Sequence, residues 1–167
     1  MTRLFVDLDG TAAEWKKIKT LEEIFEKGYF FNLTPHKNVC EGLRILSERF
    51  PEIEIYVLSA VSEGAIYAVE DKNRWVDKFL PFIPKEKRVF SVCGQNKADF
   101  IPGGIKKTDF LLDDYSFNLH GWNKSGGTGI KLINNCNNTK KTWKGKKVSY
   151  KVSPYRIMGD LAEIILK

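Results

Sequence analysis

At 167 residues, with 43% hydrophobic and 29% charged side chains, the chain suits one domain with a modest insertion, at ~150 residues per domain. Its composition is that of an ordinary globular protein rather than a disordered one. The formal net charge is a moderate +6; no apolar run approaches the ~18 residues of a membrane span, and the N-terminus reads into a strand rather than a signal peptide, so a cytoplasmic location is expected.

Residues 3–7 form a short apolar run ending in acids and the turn residue Gly10, the pattern of a buried strand that stops at a loop. Residues 14–27 place Trp15, Ile18, Leu21, Ile24 and Phe25 at spacings of three and four, which predicts an amphipathic helix stopped by Gly28. The aromatic cluster Tyr29, Phe30 and Phe31 precedes Pro35. A helix is predicted over 36–50, closed by Pro51, and a second strand over 52–59. A further helix over 63–79 leads to a short strand over 88–92, and residues 93–97 make a polar turn. Another apolar run ending in acids spans 108–113, a fifth strand is predicted over 129–133, residues 134–147 read as loop or hairpin, and a helix over 157–166 closes the chain. Strands alternating with helices imply an α/β fold with a mainly parallel sheet.

Cys40, Cys93 and Cys136 are odd in number and widely spaced, so they suggest neither a disulfide framework nor a zinc site and read as buried, reduced thiols. Residues 115–159 contain no Asp or Glu but nine Lys or Arg, among them Lys124, Lys131, Lys140, Lys141 and Lys151. That stretch reads as a solvated face, as a field for anionic substrates, or as a nucleic-acid contact.

In parallel α/β sheets ligands bind beyond the carboxyl ends of the strands. Here those ends carry Asp7, Asp9, Ser59, Asp113 and Asp114. Carboxylates gathered at one edge repel one another and call for a hard cation; the ligands are too few for an all-protein Ca²⁺ cage, which favours Mg²⁺ sharing oxygens with a phosphate substrate. Taken singly the signals differ in weight. Alone, Ser59 reads as a local backbone partner and Lys97 as a solvated lysine, whereas two adjacent acids ending an apolar strand require compensation.

The segment Asp7-Leu8-Asp9-Gly10-Thr11 resembles the DxDGT signature of the haloacid dehalogenase superfamily of phosphohydrolases. Ser59 in EIYVLSA resembles the second motif, Lys97 in CGQNKADF the third, and Asp113-Asp114 in DFLLDDY the acidic fourth. The stretches LLDDYSFNLHGW, GGTGIKLIN and TWKG resemble bacterial and phage proteins grouped with 5'(3')-deoxyribonucleotidases. The resemblance implies a three-layer Rossmann-like fold with a small helical cap inserted at about 13–37. It also implies a Mg²⁺-dependent phosphomonoesterase, with a nucleoside monophosphate as the expected substrate. Asp7 would be the nucleophile and Asp9 the proton shuttle. Mg²⁺ would be held by Asp7, the main-chain carbonyl of Asp9, Asp113 and Asp114, the last through an ordered water. Ser59 and Lys97 would bind phosphate oxygens.

The sequence departs from the pattern in one respect. Lys97 lies sixteen residues before Asp113, farther than the third-motif lysine of mammalian-type nucleotidases, and Lys106 and Lys107 are nearer rivals. Lys97 is preferred because it follows a strand and a polar turn, as in the bacterial relatives. In the cap, Trp15, Phe25 and Tyr29 are candidates to stack on a nucleobase, with Trp15 foremost, although aromatics at such spacing also serve as core. Recurrence of LHGW and TWKG favours packing for Trp122 and Trp143. The expected partner is a small phosphomonoester rather than a nucleic acid or a membrane. Two other readings stand beside it: a phosphatase of another small phosphomonoester, and a non-catalytic nucleotide- or RNA-binding protein, against which the retention of Asp9 beside Asp7 speaks.

Overall fold

The computed structural model describes residues 1–134, 136–137 and 142–167. Six strands, β1 (Thr2–Val6), β2 (Ile53–Val61), β3 (Arg88–Val92), β4 (Asp109–Asp113), β5 (Thr128–Ile133) and β6 (Lys146–Ser149), form one sheet in the order β3-β2-β1-β4-β5-β6. Every pairing is parallel. The helices are α1 (Lys37–Arg49), α2 (Ala68–Phe79), α3 (Ser116–Lys124) and α4 (Pro154–Leu166).

A central parallel strand is covered on both faces and so must be apolar at consecutive positions, which is how Leu4-Phe5-Val6 reads. Leu4 and Val6 join Ile55, Val57 and Leu112 in a core shared with Leu43 of α1, Trp75 of α2 and Leu161 of α4. Phe5, Leu58 and Leu111 face the other way, onto Leu119 and Trp122 of α3. The result is three layers, with α1, α2 and α4 on one face of the sheet and α3 on the other. The chain runs outward from β1 to β3, then returns across the sheet to place β4 against β1. That reversal opens a crevice beyond the carboxyl ends of β1 and β4.

Four elements differ from the sequence reading. The helix expected over 14–27 is a single 3₁₀ turn, Leu21–Phe25. Both ends of this segment are tied to one rim, by the Ala13–Pro35 bridge and by a Glu14 N–H to Thr34 carbonyl bond of 2.7 Å. The Lys19 and Thr20 amides donate to the Glu23 carboxylate, so the turn starts only after Thr20. A helix this short needs a packed face, yet Trp15 and Leu21 of the expected stripe are exposed. The second helix starts at Ala68 instead of residue 63 because Gly64, at φ +84°, interrupts the backbone. Ser116–Lys124 is a helix that the sequence reading did not assign; only Leu119 and Trp122 in it are buried. Finally, part of the expected loop 134–147 contributes to a sixth strand, whose single buried residue is Val148 and whose Lys146 and Lys147 are exposed on the sheet edge. Lys140 and Lys141 lie outside the described residues. Among the described residues no helix is long and apolar enough to cross a membrane.

The α1–α4 packing depends on Gly42, where an added Cβ would sit 2.9 Å from Ile157 side-chain carbons and 3.0 Å from the Pro154 carbonyl. Gly42→Val should lower unfolding free energy by about 1–3 kcal/mol through overpacking, read as a shift in the urea midpoint at unchanged slope.

Candidate active site

Asp7 immediately follows β1 and Asp113 ends β4. Because the two strands are neighbours, with the Asp7 amide donating to the Leu112 carbonyl at 3.0 Å, their carboxylates reach the same crevice. Carboxylate oxygens of Asp7, Asp113 and Asp114 lie within 4.8 Å of one another, and all three residues are buried. Lys97 opens a 3₁₀ turn, Lys97–Phe100, whose preceding residue Asn96 accepts from the Ala98 amide. The buried Lys97 ammonium donates to Asp7 Oδ1 and Asp113 Oδ2, both at 2.7 Å, and to the Leu58 carbonyl at 3.1 Å. Burial acts to lower its pKa, but Asp113 and Asp7 outweigh that and hold it above the ordinary lysine value. Burial pushes the Asp113 carboxyl up, with Lys97 opposing. Asp114 is lifted to about 7 by burial and by the charges of Asp113 and Asp7.

A second buried lysine completes the site, and the sequence reading missed it. Lys72 of α2 is 1% exposed and spends its three protons on Asp9 Oδ2, Ser59 Oγ at 2.8 Å and the Ala60 carbonyl at 2.6 Å. Its ammonium also lies 4.5 Å from the Phe30 ring centroid. The signal was present in the sequence: Lys72 falls at helical spacing between Ala68 and the Trp75-Val76 pair, on the buried stripe of α2. Asp9 Oδ1 is buried without a partner among the described residues. Burial raises the Asp9 pKa, Lys72 opposes, and the nearby Asp7 adds to the rise.

Ser59 is fully buried; accepting from Lys72 leaves its own hydroxyl proton to donate elsewhere. The crevice is lined by Asp7, Asp9, Lys97, Asp113 and Asp114, with Ala60 rather than Ser59 on its wall and Trp15, Tyr115 and Asn118 around it. Beside it, past Asp9, opens an apolar chamber walled by Trp15, Ile24, Tyr29, Phe30 and Leu33, with Lys16 at its edge. Phe25 is not part of that wall and packs against the main core. Lys106 and Lys107 are exposed ahead of β4, at its opposite end, where the Lys106 amide donates to Asp109.

Only Cys40 is buried, its thiol pushed up to about 12 by burial; Cys93 and Cys136 are exposed, correcting the expectation of three buried thiols. Both follow the ends of strands, β3 and β5, where the chain leaves the sheet. The acid-free stretch is not wholly a surface feature. Lys131 is buried and donates to the Asp114 carbonyl at 2.7 Å and Ser116 Oγ at 2.8 Å. Trp122 and Trp143 are core residues whose indole N–H groups donate to the carbonyls of Asp109 and Lys146.

The parallel sheet with acids gathered at its switch point is a Rossmann-like α/β arrangement. The model of the family described as 5' nucleotidase, deoxy (pyrimidine), cytosolic type C protein matches residues 11–146, and the chain belongs to that family of phosphomonoester hydrolases. The match begins just after Asp7 and Asp9. The crystal structure of a phosphoserine phosphohydrolase-like protein from Francisella tularensis subsp. tularensis SCHU S4 superposes with a TM-score of 0.58 over 99% of this chain and 100% of that one. The two are 14% identical in sequence, so the likeness is one of fold. No curated protein matches the sequence.

Gly10 shows how tightly the acids are packed. Its φ is +87°, and an added Cβ would lie 2.5 Å from Asp114 Oδ2. Gly10→Ala should cost about 1–3 kcal/mol in backbone strain and displace Asp114, so that phosphatase turnover falls at least ~10-fold; thermal unfolding and aryl phosphate hydrolysis measure the two effects.

Proposed function

We propose that the protein hydrolyses nucleoside monophosphates through an aspartyl-phosphate on Asp7. The observation that carries this reading is the pairing of two unlike carboxylates two residues apart. Asp7 faces Lys97 and the acids of β4, whereas Asp9 faces Lys72 at the mouth of the apolar chamber.

The residues suit a divalent cation. Of three buried carboxylates, Asp7 and Asp113 share one lysine and Asp114 accepts only from neutral donors among the described residues, so the acids outnumber the cation in a site that does not tolerate uncompensated charge. Asp7, Asp113, Asp114 and the main-chain carbonyl of Asp9 would hold it. The Asp9 carboxylate is engaged by Lys72 instead. Oxygen ligands of this number favour Mg²⁺, which when bound would neutralise charge on the phosphoryl oxygens.

In the first step a carboxylate oxygen of Asp7 attacks phosphorus and the bond from phosphorus to the ester oxygen breaks. Asp9, protonated, gives its proton to the departing alkoxide. In the second step the Asp9 carboxylate takes a proton from water as that water's oxygen attacks phosphorus, returning Asp7 and releasing phosphate. The raised Asp9 pKa serves a group that must be an acid first and a base second. Lys97, which lines the crevice, would steady the non-bridging oxygens where charge spreads, and Ser59, buried off the crevice wall, would hold the Lys72 ammonium beside Asp9.

The segment over 13–37 acts in this reading as a small cap, and Trp15, Tyr29 and Phe30 present faces on which a base can stack. Phosphate release from a panel of ribo- and deoxyribonucleoside monophosphates, sugar phosphates and an aryl phosphate, with and without Mg²⁺, tests the proposal, with Asp7→Asn as the blank. Selective Mg²⁺-dependent turnover of nucleotides is expected, with activity lost in Asp7→Asn; preference for a sugar phosphate, or substantial activity in that variant, would overturn it. The lysine assignment has its own test. Lys97→Ala should lower kcat/KM at least ~100-fold, and Lys106→Ala should stay within about twofold of the parent because its side chain is exposed at the far end of β4; the reverse order would refute the assignment.

A further inference from the structure

Two asparagines in the loop that leaves β5 have no part in the scheme above, yet both end on an acid of the site. Asn134, the first residue after β5, is 2% exposed. Its Nδ2 donates to the Gly10 carbonyl at 2.7 Å and to Asp114 Oδ2 at 2.9 Å. Its Oδ1 accepts from the amides of Cys136 at 2.9 Å and Asn137 at 2.8 Å. The half-buried Asn137 donates from Nδ2 to the same Asp114 oxygen at 2.5 Å. Asp114 Oδ1 faces the Thr11 hydroxyl at 3.3 Å, and the Asp114 amide donates to that hydroxyl at 3.1 Å.

We infer that Asn134 and Asn137 are positioning residues of the cation site: they hold the Asp114 carboxylate toward Asp7 and Asp113 and fasten it to the turn at Gly10. The inference rests on the reading of those three acids as the cation site. Its physical basis is the choice of donor. A carboxylate crowded by two others gains by turning away, and the amide N–H donors on Asp114 Oδ2 hold it in one orientation. An amide is neutral, so it brings no positive charge to the site, whereas a lysine or arginine in the same place would pair with the acid and repel the ion. The site uses both kinds of donor: Lys97 faces Asp7 and Asp113, and the amides face Asp114. Asn134 uses both protons and its carbonyl oxygen, so it also ties the segment carrying Asp9 to the loop after β5.

The test is Mg²⁺ binding to the substrate-free protein by titration calorimetry, beside steady-state hydrolysis of an aryl phosphate across a Mg²⁺ series. Partners behind metal ligands are commonly worth ~10–100-fold in affinity. Asn134→Ala should therefore raise the Mg²⁺ Kd at least ~10-fold and Asn137→Ala by a smaller factor, with kcat recovering at high Mg²⁺ and the aryl phosphate KM unchanged. An unchanged Mg²⁺ Kd in folded Asn134→Ala, or activity that excess Mg²⁺ does not restore, would overturn the inference. If Asn134→Ala does not fold, Asn137→Ala decides alone, an unaltered Kd again overturning it. Asp113→Ala separates the two levels of the argument. It should lose Mg²⁺ binding; if it binds as the parent does, the cation-site reading itself fails, and the role of the asparagines fails with it.

Discussion

Asp7, Asp113 and Asp114 are packed in a buried crevice where their charges repel at short range, and the surroundings of the site are arranged to bear that repulsion. Lys97 bridges two of the acids from a 3₁₀ turn, Lys131 and Thr11 brace the backbone and carboxylate of Asp114, and amides cover its other oxygen. Buried ion pairs recover little of the desolvation cost of their charges, and replacing them with apolar side chains commonly stabilises a fold. Such a cluster is therefore not explained by stability, and its scaffold has to tolerate it. Gly10 belongs to the same arrangement, because any side chain at that position would collide with Asp114.

Lys72 divides the site into two electrostatic compartments. Asp7 and Asp9 are separated by one residue, and the turn that the chain makes after β1 takes them to different partners: Lys97 for the first, Lys72 for the second. Each lysine bonds a main-chain carbonyl of β2 as well, Leu58 for Lys97 and Ala60 for Lys72. The end of β2 thus registers both ammonium groups against the two acids. A strand contributing two carbonyls and the Ser59 hydroxyl is a rigid means of alignment, since this end of it is held in the ladder with β3.

The segment over 14–34 is anchored in its second half and more exposed in its first. Leu33 accepts from the Trp75 indole at 2.8 Å, the Gly28 amide donates to Asp71 at 2.7 Å, and Phe30 is buried. These contacts fasten the second half of the segment to α2, the helix that supplies Lys72. The first half carries Trp15 out to the edge shared by the crevice and the apolar chamber. One helix therefore supports both the wall of the chamber and the partner of Asp9.

The sequence by itself determined the parallel α/β class, the central strands and the acids at their ends, because an apolar run buried on both faces and closed by Asp is a local pattern. Lys97 reads singly as a solvated lysine and is preferred through the family resemblance; tertiary structure sets it against Asp7 and Asp113. The form of residues 14–27, expected as a helix and found as a single 3₁₀ turn, and the sixth strand were beyond the reach of the sequence. Amphipathic spacing over 14–27 is satisfied only when a surface exists to receive it, and tying both ends of the segment to one rim removes that surface. β6 has one buried side chain and is a strand only because β5 offers it an edge. Lys72, Asn134 and Asn137 were decided by tertiary structure alone: their meaning lies in which acids they touch, and those acids are separated from them by between 20 and 63 residues of chain. A hydrogen bond across that separation leaves no periodic trace, since it is set by strand order and not by neighbours in sequence.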